Sequence, residues 1–159
     1  MELTLQSRSP EETFQWGQKL AAILAGGDVV CLYGSLGAGK TAFAQGVGAG
    51  LAIREPITSP TFTIIHEYLL PTPKRDAARL IHMDLYRLNS TEEAEQAGAA
   101  DILQEDTITL IEWPQIALPL LTDDRLELAI EGNGEQPRRL IFKATAGDWL
   151  CRWRQGEGQ

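Results

Sequence analysis

Cysteine is nearly absent: the 159-residue chain carries two, Cys31 and Cys151. Two thiols so far apart make neither a disulfide framework nor a metal-binding spacing, so a reducing compartment, the cytoplasm, is the expected location. Long apolar runs are lacking as well. None approaches the roughly 20 residues that cross a bilayer, so no membrane is expected as a partner. The opening residues Met1-Glu2-Leu3-Thr4 lack a basic segment followed by an apolar core, and no signal peptide is expected. Positive charge is scarce, with 14 Lys and Arg against 22 Asp and Glu, a formal net charge of −8. That balance argues against a domain that grips nucleic acid unaided, where a basic face is required. No internal repeat is visible.

What remains is an ordinary amount of apolar material, 43% of residues, enough for one core without cross-links. The expectation is a single domain over residues 1–154 followed by a frayed tail, 155–159. Charge is distributed unevenly. Residues 92–106 hold six acids and no Lys or Arg, whereas residues 138–154 hold five bases and one acid, Asp148. Two solvated surfaces are the plain reading. The sharper one is an acidic face for a protein partner and a basic edge for an anion.

The most informative segment is Gly34-Ser35-Leu36-Gly37-Ala38-Gly39-Lys40-Thr41, a complete G-x-x-x-x-G-K-[ST] pattern. An apolar run, Val29–Tyr33, leads into it as a buried strand, and residues 40–52 lead out with helical character. Strand, glycine loop and helix are the context in which this pattern cradles phosphates. The glycines let backbone N–H groups turn toward an anion, and the helix N-terminus adds partial positive charge. Gly34, Leu36, Gly37, Ala38 and Gly39 are therefore candidate nucleotide-binding residues. Lys40 is expected to reach the β- and γ-phosphates and Thr41 to offer its hydroxyl to Mg²⁺.

Elsewhere, the pattern predicts a helix over 10–25, capped by Ser9 with Pro10 in its first turn. The Thr58–Thr63 segment is polar and leads into a strand over 62–69. Residues 71–78 read as a long hairpin-like loop. Strands follow at 79–84, 107–112, 125–131 and 138–144, with a short helix after Ser90 that stops at Gly98. Residues 147–154 are weakly helical. The fold class is α/β: a P-loop NTPase-like mixed sheet flanked by helices in three layers, with the nucleotide at the C-terminal edge of the strands.

Two strands end in acids, Asp84 and Glu112. In a parallel sheet both ends reach the loop, so one carboxylate can hold Mg²⁺ while the other positions the attacking water. Thr61 or Thr63 is placed to sense the γ-phosphate, as switch segments do. Trp113 either sits near the nucleotide or packs on the next element. His82 is either a catalytic group or a packed, hydrogen-bonded histidine.

GSLGAGKT at 34–41, SPTFT at 59–63, HMDLYRL at 82–88 and EWP at 112–114, in that order, closely resemble the TsaE family of small bacterial P-loop ATPases. The resemblance runs over roughly residues 10–145. It implies an ATP-hydrolysing accessory subunit, weak alone, needed for N6-threonylcarbamoyladenosine in tRNAs that read codons starting with A. It implies TsaB and TsaD as partners, with tRNA met only through that complex, and ATP and Mg²⁺ as cofactors. Carried over by position, the phosphate-binding residues fall on Leu36–Thr41, the magnesium ligands on Thr41 and Glu112, and a further essential acid on Asp84. Adenine-side contacts fall loosely on Ser9–Glu12 and on Arg138 or Arg139. The readings set against this are a small-molecule kinase, which would need an Arg-rich lid that is not visible, and a nucleotide-dependent binding switch. No Asn-Lys-x-Asp supports guanine specificity.

Overall fold

The computed structural model describes residues 2–58, 64–144 and 146–158. Seven strands form one mixed sheet in the order β1-β7-β6-β2-β5-β4-β3. They are β1 (Glu2–Ser7), β2 (Val29–Tyr33), β3 (Ile65–Lys74), β4 (Ala77–Asp84), β5 (Thr107–Glu112), β6 (Leu126–Glu131) and β7 (Arg138–Lys143). The helices are α1 (Pro10–Ala21), α2 (Lys40–Gly50), α3 (Thr91–Gln96) and α4 (Trp149–Glu157), with a 3-10 helix at Pro114–Leu120. At the centre β2 runs parallel to both β5 and β6, and β4 parallel to β5. The outer pairs are antiparallel. Among the described residues no helix is long and apolar enough to cross a membrane.

The period-2 alternation of the strands divides the core in two. Leu80, Ile108, Leu110, Val30 and Leu32 face one side, where α1, α2 and α4 contribute Leu20, Phe43, Val47 and Trp149. Ile81, Met83 and Ile111 face the other and pack with Ala94, Ala99 and Ala117 from the short helical segments. The result is the expected three-layer α/β architecture. By the same parity His82, Asp84 and Glu112 all belong to the α2 side of the sheet.

Helices α1 and α2 approach each other unusually closely, and glycine makes this possible. A Cβ on Gly17 would lie 2.3 Å from the Phe43 carbonyl oxygen, and one on Gly46 would lie 2.0 Å from the Phe14 carbonyl oxygen. Neither contact is open to any other residue without moving a helix.

Several boundaries differ from expectation. Residues 71–78 are not a long loop. β3 continues to Lys74, and Arg75-Asp76, with φ of 46° and 66°, make a two-residue turn into β4. Both central residues at positive φ match the twist of a hairpin. Pro71 and Pro73 mimic loop residues in sequence but are tolerated because β3 is an edge strand. β1 has no counterpart among the expected elements; it is an edge strand held by antiparallel pairing with β7. α4 runs on through Glu157, so 155–157 are helical where fraying was expected. Trp153 anchors it, buried and 5.6 Å centroid-to-centroid from Phe142. The expected basic edge is largely committed internally. Arg152 pairs with Asp28 and Asp148, Arg139 with Glu131 and Lys143 with Glu2.

Candidate functional site

The loop Gly34–Gly39 leaves β2 and enters α2 at the C-terminal edge of the parallel strands. Two of its glycines are demanded by the backbone. Gly37 has φ of 80°, and Gly39, the residue that opens α2, has φ of 117°. α1 and α3 are capped by the Ser9 and Ser90 hydroxyls, which accept from Glu12 N–H and Glu93 N–H. α2 has no side-chain cap. Its first-turn N–H groups lack the partner that a capping side chain would supply, the arrangement a helix N-terminus offers an anion.

Lys40 is buried, with 5% of its surface exposed. Its ammonium donates to the Gly34 carbonyl at 2.7 Å and lies 3.9 Å from the centroid of the Trp113 ring. Burial lowers its pKa below the usual 10.5, and the nearby carboxylates of Glu112 and Asp84 pull the other way. Trp113 reaches this position through backbone strain: its φ and ψ are 53° and 57°. A bulky residue in the left-handed region costs on the order of 1–3 kcal/mol. The conformation turns the chain sharply from β5 into the 3-10 helix and sets Trp113 against Tyr86 with the rings tilted by 49°, 4.9 Å between centroids. Trp113 thus lies both over the Lys40 ammonium and against Tyr86.

The two acids come together through strand register. Asp84 sits opposite Glu112, and Glu112 opposite Leu32, two residues before Gly34. Glu112 is buried, 3% exposed. Its Oε2 lies 2.7 Å from His82 Nε2, itself fully buried on the adjacent strand. Asp84 is more open and accepts from the Tyr86 N–H at 3.0 Å. Thr41 is half-buried in the first turn of α2. Thr61, with Ser59, Pro60, Phe62 and Thr63, lies outside the described residues. Leu36 projects from the loop, 72% exposed.

Beside the loop lies a cleft of about 290 Å³ lined by Ser9, Pro10 and Thr13 on one wall and Gln136 and Arg138 on the other. Arg138 settles which of the two adjacent arginines faces the site. Its guanidinium donates to the Ala38 carbonyl at 3.1 Å and to the Gly37 and Gly134 carbonyls at 3.4 and 3.0 Å. Arg139 faces outward to Glu131. Sequence reading missed Ser7 and Thr13, whose hydroxyls share a buried 2.6 Å hydrogen bond. Thr13 Cγ2 lies where a Gly39 Cβ would meet it at 3.5 Å. No motif marks these residues: Ser7 lies on β1, which the sequence pattern did not reveal, and Thr13 on the expected helix α1 becomes part of the site only through tertiary packing.

A glycine loop between a central parallel strand and a helix, with two strand-end acids in register beside it, defines a P-loop NTPase-like α/β protein. A family model described as TsaE, threonylcarbamoyl adenosine biosynthesis protein, matches residues 7–141. The chain belongs to the TsaE family. It is 36% identical over 155 residues to the tRNA threonylcarbamoyladenosine biosynthesis protein TsaE of Bacillus subtilis, covering 94% of this chain and 92% of that one. The protein of the same description from Treponema pallidum is 37% identical, covering 78% and 96%. The crystal structure of YdiB from B. subtilis superposes with a TM-score of 0.76 at 30% identity, covering 99% of this chain and 95% of that one.

Proposed function

We propose that this protein is an ATPase acting in tRNA threonylcarbamoyladenosine biosynthesis, binding ATP with Mg²⁺ at Gly34–Thr41. Its partner is the TsaB–TsaD complex, through which it meets tRNA indirectly and whose repeated turnover it supports. The observation that carries the reading is electrostatic: Lys40 opens α2, whose N-terminus has no side-chain cap, and is buried with its ammonium on the Gly34 carbonyl, where the charges of Glu112 and Asp84 oppose the lowering of its pKa by burial. This arrangement suits a polyphosphate flanked by a cation. Family membership supports the pathway, and the acidic net charge fits a subunit that leaves tRNA to its partners.

In this reading the loop N–H groups and Lys40 hold the phosphates, and the Ser9–Thr13 and Arg138 cleft takes the adenine side. Thr41 and Glu112 supply oxygen ligands suited to Mg²⁺, with Asp84 as the further acid near the metal and the water. No group of three or more His, Cys, Asp or Glu side chains that could hold a metal occurs among the described residues. Mg²⁺ binds through one or two protein oxygens and completes its shell with water and phosphate. When bound, the ion neutralises charge on the transferring phosphoryl group. With Glu112 given to the ion, Asp84, held opposite it by strand register, orients water for in-line attack. Burial of Lys40 and Glu112 strengthens each of these interactions.

The test is phosphate release from ATP by the protein alone and with TsaB plus TsaD. Stimulation by the complex supports the reading; transfer of phosphate to a small acceptor, with no effect of the complex, overturns it. Lys40→Ala abolishes nucleotide binding. Asp84→Ala and Glu112→Ala retain much of the binding and suppress turnover. Normal hydrolysis by both acid variants would refute the division of labour between loop and acids.

A further inference from the structure

His82 takes no part in the reading above, yet it makes a short, fully buried side-chain contact with one of the two strand-end acids. Its ring is fully buried, and Nε2 lies 2.7 Å from Glu112 Oε2. The other ring nitrogen, Nδ1, is buried with no hydrogen-bond partner among the described residues. This asymmetry selects a tautomer. A carboxylate oxygen can only accept, so Nε2 carries the hydrogen; among the described residues a buried N–H at Nδ1 would have no acceptor, which is costly. One carboxylate oxygen of Glu112, Oε2, is thereby engaged. The backbone holds both partners on adjacent parallel strands, in a register that pairs His82 with Leu110 and Asp84 with Glu112.

We propose that His82 is a positioning residue: its Nε2–H locks the Glu112 side chain so that a single oxygen faces the Thr41 and Asp84 edge. This rests on the ATP and Mg²⁺ reading for its consequence, while the contact itself is a property of the ligand-free protein. Outer-shell hydrogen bonds of this kind orient a ligating carboxylate, and their loss costs about 10- to 100-fold in metal affinity or activity.

Two measurements test it. In ¹⁵N-labelled protein without nucleotide, long-range imidazole correlations should show His82 as the Nε2–H tautomer, with a signal that shifts on Glu112→Leu. In nucleotide titrations, His82→Met, which has no donor, should cut the gain in ATP-analogue affinity due to Mg²⁺ by about 10- to 100-fold and leave Mg²⁺-free affinity unchanged. His82→Gln restores an N–H at a similar reach and should recover most of the loss. The proposal is overturned by an Nδ1–H tautomer, by a full Mg²⁺ effect in His82→Met, by equal losses with and without Mg²⁺, or by a glutamine variant as impaired as methionine. If His82→Met fails to fold, the spectrum and the glutamine variant decide. A wild-type protein with no Mg²⁺-dependent nucleotide binding would instead refute the ATPase reading, and the tautomer would still judge the contact.

Discussion

Gly46→Ala isolates the close approach of α1 and α2. On an isolated helix the change is favourable, by about 1 kcal/mol, because alanine is the better helix former. Here the new methyl group would lie 2.0 Å from the Phe14 carbonyl oxygen and 2.8 Å from the Phe14 carbonyl carbon. Ordinary contact begins at 3.4 Å, so the helices must part by roughly 1.4 Å. The obstacle is backbone, which cannot rotate away as a side chain can. Overpacking of this kind costs about 1–3 kcal/mol and at times more. With the cost at the upper end, the net loss is about 2 kcal/mol, or about 4–8 °C in Tm for a domain of this size. Gly156→Ala is the control. Its Cβ would meet only Ile23 Cγ2, at 2.8 Å, a single side-chain methyl and not backbone, so its Tm should fall less than that of Gly46→Ala. Thermal denaturation followed by circular dichroism reads both. A Gly46→Ala protein that melts at or above wild type, or no lower than Gly156→Ala, would refute the argument that these helices touch through backbone.

Lys40→Met should abolish nucleotide binding yet raise Tm at neutral pH, since burial has pushed the lysine pKa below 10.5. The folded state then disfavours the ammonium, a cost that is present below the folded pKa and disappears as pH rises from it toward 10.5. The advantage of methionine should shrink over that window, as pH-dependent melts would show. Arg138→Ala removes donors to the Gly37 and Ala38 carbonyls and should weaken nucleotide binding about tenfold, about 1.4 kcal/mol. Arg139→Ala, altering a surface pair, should leave the titration unchanged. In thiol labelling of the folded protein, Cys151 should react and Cys31 should not until denaturant is added, because Cys31 is buried and its pKa is pushed up to about 12 from 9.0 by burial. A Cys31 that reacts at pH 9 in the native state would contradict that burial.

Legibility differed by the range of the interactions involved. The Gly34–Thr41 loop, α2 and β5 were readable because their signals are local: glycine at positive φ, an apolar run, and an end marked by Pro114. β5 was expected over 107–112 and occupies those residues. The β3 hairpin was misread because Pro71 and Pro73 carry the local signal of a loop. Their tolerance depends on β3 lying at the sheet edge, a fact of strand order and not of composition. β1 went unseen because six residues of mixed character become a strand only when β7 is there to pair with them.

The sequence alone determined the glycine loop and its pattern, the presence of two strand-end acids, the α/β class and the family resemblance. All are written in residue type and spacing along the chain. The tertiary structure decided what those residues face. Parallel pairing set Asp84 beside Glu112 and both near Lys40. The left-handed turn at Trp113 laid its ring over Lys40. The pairing of β4 with β5 joined His82 to Glu112, and the fold around β7 turned Arg138, not Arg139, onto the loop. Each of these is a contact between residues distant in the chain. Register, strand order and burial create such contacts, and none exists until the sheet is assembled.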